Sequence, residues 1–113
     1  MREFELIRQI QRDTCVDFPR GFEHGVILGI GDDAAVLELP AGRQLVAAAD
    51  TLNAGVHFPA DTAAYDIGYK CLAVNLSDLA AMGATPRWAL LSLSLPQADG
   101  EWMQQFSAGF RSL

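Results

Sequence analysis

Two apolar segments do most to restrict what this chain can fold into. Leu45 to Ala49 is a continuous run of small apolar residues that ends on Asp50-Thr51, the composition of a strand covered on both faces. Trp88 to Leu95 alternates, with Ala89, Leu91, Leu93 and Leu95 on one side and Leu90, Ser92 and Ser94 on the other, until Pro96 breaks the strand. A chain of 113 residues is enough for one domain with one core. Yet 50% of its residues are hydrophobic and its mean hydropathy is +0.15. Three helices and two apolar sheet faces exceed what so short a chain can cover, so part of that surface is expected to meet a second chain or residues beyond this one.

Periodicity predicts the helices. Residues 3 to about 13 set Phe4, Leu6, Ile7 and Ile10 at helical spacing with Glu and Arg between them. Asp61 is placed to cap a long helix through about Met82, with Ile67, Cys71, Leu72, Val74 and Leu79 as its apolar stripe and Gly83 as its end. Asp99 starts a last helix that reaches Leu113 without a cap, which makes the chain a fragment by expectation. Trp88, Trp102 and Phe106 are expected in the core. Val26-Ile27-Leu28 leads into Gly29-Ile30-Gly31-Asp32-Asp33, Ala35 to Leu39 reads as a strand stopped by Pro40, and Ala41-Gly42 makes the next turn. The order is α+β, without repeats or low-complexity linkers.

Charge narrows the partners. Eight basic against fourteen acidic residues leave a net charge of −6, so a phosphorylated ligand meets a repulsive average field and nucleic acid is excluded as an expected partner. Cys15 and Cys71 form neither a C-x-x-C motif nor a disulfide framework. No apolar stretch approaches the roughly 20 residues of a membrane span, and no signal core comes after Met1-Arg2-Glu3-Phe4. The expectation is a soluble, reduced, cytoplasmic protein.

The chemistry gathers on three acids, Asp33, Asp50 and Asp78, each flanked by apolar residues. Burying a carboxylate costs several kcal/mol unless it is compensated, and two of them about 4 Å apart repel by roughly 4 kcal/mol at an effective dielectric of 20. A divalent cation answers both costs, and an all-oxygen set without Cys and His pairs suits magnesium or manganese rather than zinc. Singly, Asp33 and Asp50 also suit a hydrogen-bonded turn. Asp78 is harder to explain that way, because it lies mid-helix with Asn75 one turn earlier on the same face.

Other motifs carry less. Gly29-Ile30-Gly31-Asp32-Asp33-Ala34 matches the loose G-x-G-x-x-G/A dinucleotide pattern, but the residues after it are strand-like and two acids would repel a pyrophosphate. No Walker G-x-x-x-x-G-K-[ST] loop exists, so any use of ATP must run through metals. An isolated His57 is more often structural than catalytic, Lys70 can face the same site as Asp78 but on a long helix is ordinarily solvated, and Ser77 has no triad partner.

The run Gly29 to Leu37, then Asp50-Thr51-Leu52 with Gly55-Val56-His57-Phe58, then Asp66 to Lys70, and above all Asn75-Leu76-Ser77-Asp78-Leu79-Ala80-Ala81-Met82-Gly83-Ala84, resembles the motifs of the thiamine-monophosphate kinases. These belong to a superfamily shared with aminoimidazole ribonucleotide synthetase, selenophosphate synthetase and a hydrogenase-maturation protein. The resemblance covers nearly the whole chain. It implies the amino-terminal domain of the aminoimidazole ribonucleotide synthetase-like fold, a mixed sheet flanked by helices that pairs across a homodimer into a β-barrel. Residues 1–113 would be a partial ATP- and magnesium-binding domain, its carboxyl-terminal partner domain absent.

It further implies several magnesium ions held by Asp33, Asp50 and Asp78, with Ala49 contributing its main-chain carbonyl, and His57 touching the thiamine phosphate. Ala48-Ala49 departs from the family's usual Ser-Thr, so no hydroxyl can ligate there. The implied reaction is transfer of the ATP γ-phosphoryl group to thiamine monophosphate by direct in-line attack, which needs no nucleophilic residue. Two other readings stay open: another ATP-using enzyme of the superfamily, and a non-catalytic dimerisation module.

Overall fold

The computed structural model describes residues 3–14, 25–31, 34–96 and 99–113. Its elements are α1 (Glu3–Thr14), β1 (Val26–Leu28), β2 (Val36–Leu37), α2 (Ala64–Ala81) and α3 (Gly100–Arg111). The helices pack as a trio in which α3 touches both α2 and α1. Ala64, Ile67, Met103 and Phe106 are buried at its centre, with Leu6, Ile10, Phe58, Cys71, Leu93, Trp102 and Phe110 packed around them. Along α3, Trp102, Phe106 and Phe110 recur every fourth residue, so their rings stack with centroids 5.3 and 6.3 Å apart. Gln9 Nε2 donates to the Gly100 carbonyl at 2.7 Å, tying α1 to the start of α3.

Capping chemistry decides where the helices begin and end. Asp99 caps α3 as predicted, its Oδ1 accepting from the Glu101 N–H at 3.0 Å and the Trp102 N–H at 3.4 Å. Gly83 ends α2 as predicted: its φ of +68° lets its own N–H reach the Ala80 carbonyl and the Ala84 N–H reach the Leu79 carbonyl, the paired bonds of a Schellman motif. The other end of α2 differs from expectation. Asp61 is not its cap, because the Thr62 N–H closes a turn onto the Pro59 carbonyl and the helix starts beyond it, after Ala63 and without a side-chain cap. Nor is α3 uncapped, since the Ser112 N–H bonds the Ala108 and Gly109 carbonyls and its Oγ donates to Gly109.

The β structure is smaller than the sequence predicts. β1 and β2 form one antiparallel pair, Val26 opposite Leu37 and Leu28 opposite Val36, and Arg43 N–H to Pro40 O closes the next turn. A strand after Gly31 also removes the dinucleotide reading, which requires a helix there. Leu45 to Ala49 and Trp88 to Leu95 form no strand, and the mixed sheet expected from them is not present among the described residues. A strand exists only by pairing, and among the described residues no partner edge is paired with either segment. Leu45 to Ala49 is accordingly exposed throughout rather than covered on both faces. Leu90, at 86% exposure, and Val56, at 76%, are the most open of the large apolar side chains among the described residues.

Candidate functional site

Several polar groups are bonded to one another in the loop before α2. Asn53 opens it: its carbonyl accepts from the Val56 N–H at 3.2 Å and the His57 N–H at 2.9 Å, while the Gly55 N–H reaches the Phe58 carbonyl at 2.7 Å. Gly55, with φ +77°, permits the left-handed step that closes so tight a loop. The His57 ring folds back on the same turn, its Nδ1 accepting from the Asn53 N–H at 2.8 Å. Phe58 then packs against the core, and Lys70 of α2 donates its Nζ to the His57 carbonyl. His57 is thus exposed but held, which an isolated histidine in a sequence does not reveal.

Sequence reasoning alone treats Lys70 as a solvated lysine and passes over Asn53 altogether. Lys70 instead bridges α2 to the histidine loop. For Asn53 a signal is present in the Asn53-Ala54-Gly55 step, a combination that favours tight turns.

Of the predicted acids, Asp33 lies outside the described residues. Asp50, beside the equally exposed Ala49, ends the Leu45–Asp50 segment, and Asp78 lies in the last turn of α2 rather than mid-helix. Both carboxylates are exposed, which corrects the expectation of buried charge for these two: among the described residues no second layer covers the segment, and α2 leaves Ser77 and Asp78 on its open side. The burial penalty therefore does not arise for Asp50 or Asp78 among the described residues. One turn before Asp78, Asn75 donates Nδ2 to the Cys71 carbonyl at 2.8 Å while its Oδ1 is buried without a partner among the described residues.

Neighbouring Cys71 is half-buried; burial pushes its thiol up, and the adjacent Lys70 ammonium pulls it partly back.

Donor chemistry decides whether a cation fits. Carboxylate and main-chain carbonyl oxygens are what magnesium takes, and it commonly needs only one or two protein carboxylates beside phosphate oxygens and water. Among the described residues no three His, Cys, Asp or Glu side chains gather around one point. Asp50, Asp78 and the Ala49 carbonyl thus fit magnesium in kind, and further oxygens would have to come from elsewhere. No helix of the described residues is long and apolar enough to cross a membrane.

Residues 31–113 match the family described as AIR synthase related protein, N-terminal domain, and the chain belongs to that family. Within it, the chain is similar to thiamine-monophosphate kinases. It is 48% identical over 109 residues to the thiamine-monophosphate kinase of Buchnera aphidicola subsp. Acyrthosiphon pisum, which covers 96% of this chain and 32% of that protein. The corresponding protein of Escherichia coli K12 is 49% identical over 105 residues, 93% of this chain and 31% of its own length. A crystal structure of thiamine-monophosphate kinase from Stenotrophomonas maltophilia K279a superposes with a TM-score of 0.78 at 53% identity, over 100% of this chain and 34% of that one. The chain therefore spans about a third of the length of the relatives it matches.

Proposed function

We propose that this chain is the amino-terminal part of a thiamine-monophosphate kinase, which phosphorylates thiamine monophosphate to thiamine diphosphate with ATP. The observation that carries the reading is near-half identity to kinases of that name across almost the entire chain. In this reading a phosphate oxygen of thiamine monophosphate attacks the γ-phosphorus of ATP in line, a P–O bond to ADP breaks, and no phosphoenzyme forms. The protein then has little covalent chemistry to do, and rate comes from positioning and charge stabilisation.

His57, with Nδ1 occupied by Asn53, offers Nε2–H to the acceptor phosphate. Asp33, Asp50, Asp78 and the Ala49 carbonyl would hold magnesium. Bound magnesium supplies neutralisation of phosphate charge. The carboxyl-terminal domain missing from residues 1–113 would complete the site, so the chain alone is expected to be inactive. The proposed setting is the cytoplasm.

The test is steady-state kinetics of the full-length enzyme. ADP formation should depend on thiamine monophosphate, and His57→Ala should raise KM for thiamine monophosphate by about tenfold, the worth of a charge-assisted hydrogen bond, with KM for ATP little changed. Equal effects on both substrates would remove His57 from the acceptor. ATP consumption indifferent to thiamine monophosphate would instead favour another acceptor of the same superfamily.

The same reading includes a homodimer in which a second copy pairs with the exposed Leu45–Ala49 and Trp88–Leu95 segments to build the β-barrel. Pairing that buries a standard interface of about 800 Å² per partner would cover Leu45, Val46, Leu90 and Leu91, all exposed in the single chain. Sedimentation at about 100 µM should find a dimer; a monomer at that concentration would dismiss the pairing.

A further inference from the structure

Lys70 and Asn53 have no place in the chemistry described so far, yet both are bonded to the one exposed histidine of the described residues. Asn53 holds the ring from one side, its N–H on Nδ1, and this bond requires Nδ1 to be unprotonated, leaving the ring proton on Nε2. Lys70 holds the backbone from the other, its ammonium on the His57 carbonyl. Val56, the neighbour of His57, is 76% exposed, so the loop tip is restrained by the packing of Phe58, by the loop's own backbone bonds to Asn53 and Phe58, and by these two side-chain bonds. Lys70 belongs to α2, which also carries Asp78 about two turns further on. One rigid helix therefore sets the placement of the histidine loop relative to that carboxylate.

We infer that Lys70 is a positioning residue for substrate binding: by clamping the His57 carbonyl to α2 it holds the ring, oriented through Asn53, so that Nε2–H meets a phosphate monoester at a fixed distance from Asp78. The inference rests on the proposed role of His57 at the acceptor phosphate. Lys70 acts through His57 rather than on the phosphate itself, because its ammonium is already engaged by the carbonyl. A flexible loop would have to be ordered at each binding event, and the clamp removes that cost beforehand.

The experiment is a double-mutant cycle in the full-length enzyme, with Lys70→Met, Lys70→Arg, His57→Ala and the Lys70→Met/His57→Ala pair. Lys70→Met should raise KM for thiamine monophosphate about five- to tenfold, on the order of one charge-assisted hydrogen bond, with kcat and KM for ATP within twofold. Lys70→Arg, which keeps a charged donor, should restore most of the loss. In the His57→Ala background Lys70→Met should add nothing. Amide exchange at Asn53 should quicken in Lys70→Met while amides in the middle of α2 keep their protection. Unchanged KM in Lys70→Met, or an effect that multiplies with that of His57→Ala, overturns the inference and leaves the role of His57 standing. If His57→Ala itself has no effect on KM, the role of His57 at the acceptor fails, and the exchange data alone then report whether the clamp exists.

Discussion

Gly68→Ala is expected to destabilise the protein, although alanine in an open helix position improves on glycine by about 1 kcal/mol. The reversal comes from the crossing of α2 and α3. A Cβ on Gly68 would collide with the backbone carbonyl of Phe106, and one on Gly109 with the backbone carbonyl of Tyr65. Neither carbonyl can rotate away as a side-chain tip could, so the helices must part over the buried Ile67, Met103 and Phe106. Overpacking of this kind costs about 1–3 kcal/mol or more, which lowers Tm by about 1–2 °C or more per kcal/mol in a protein several hundred residues long. Gly109→Ala should behave alike, and the pair should be less than additive because both act on one crossing. Thermal melts of the full-length protein decide the matter: an unchanged or higher Tm would mean that α2 and α3 do not approach as described.

Asp50→Asn and Asp78→Asn should each lower turnover of the full-length enzyme at least about 100-fold and leave folding nearly intact. The two halves of that expectation have different grounds. Folding should survive because both carboxylates are exposed in this chain and no core contact depends on them. Turnover should fall because an amide is a far poorer ligand for a hard cation, and loss of charge stabilisation at a transferring phosphoryl group is worth several kcal/mol. Turnover within a few-fold of the parent at saturating magnesium, with an unaltered circular dichroism spectrum, would remove these residues from the site.

Local chemistry was legible where a few neighbouring residues decide the outcome. Asp99 and Gly83 marked helix ends because a side-chain acceptor and a left-handed step act within a few residues. Asp61 misled, since the same residue type suits a cap or a turn, and here it lies inside the Pro59–Thr62 backbone turn. The histidine loop was only half legible. Gly55-Val56-His57-Phe58 stood out as a motif, but the Lys70 bond spans two separate elements that only folding brings together.

The sequence by itself determined the three helices, a strand within Ala35 to Leu39, and the kinship that the family match bears out. Each of these depends on spacing within one segment or on residue types in order. Tertiary structure alone decided that Asp50 and Asp78 are exposed, that Lys70 and Asn53 hold His57, and that two glycines set the approach of α2 to α3. It also decided that Leu45–Ala49 and Trp88–Leu95 form no strands in the single chain. An apolar pattern specifies that a segment will be covered, whereas the covering surface comes from residues distant in the chain or outside it, and the pattern cannot say where they lie.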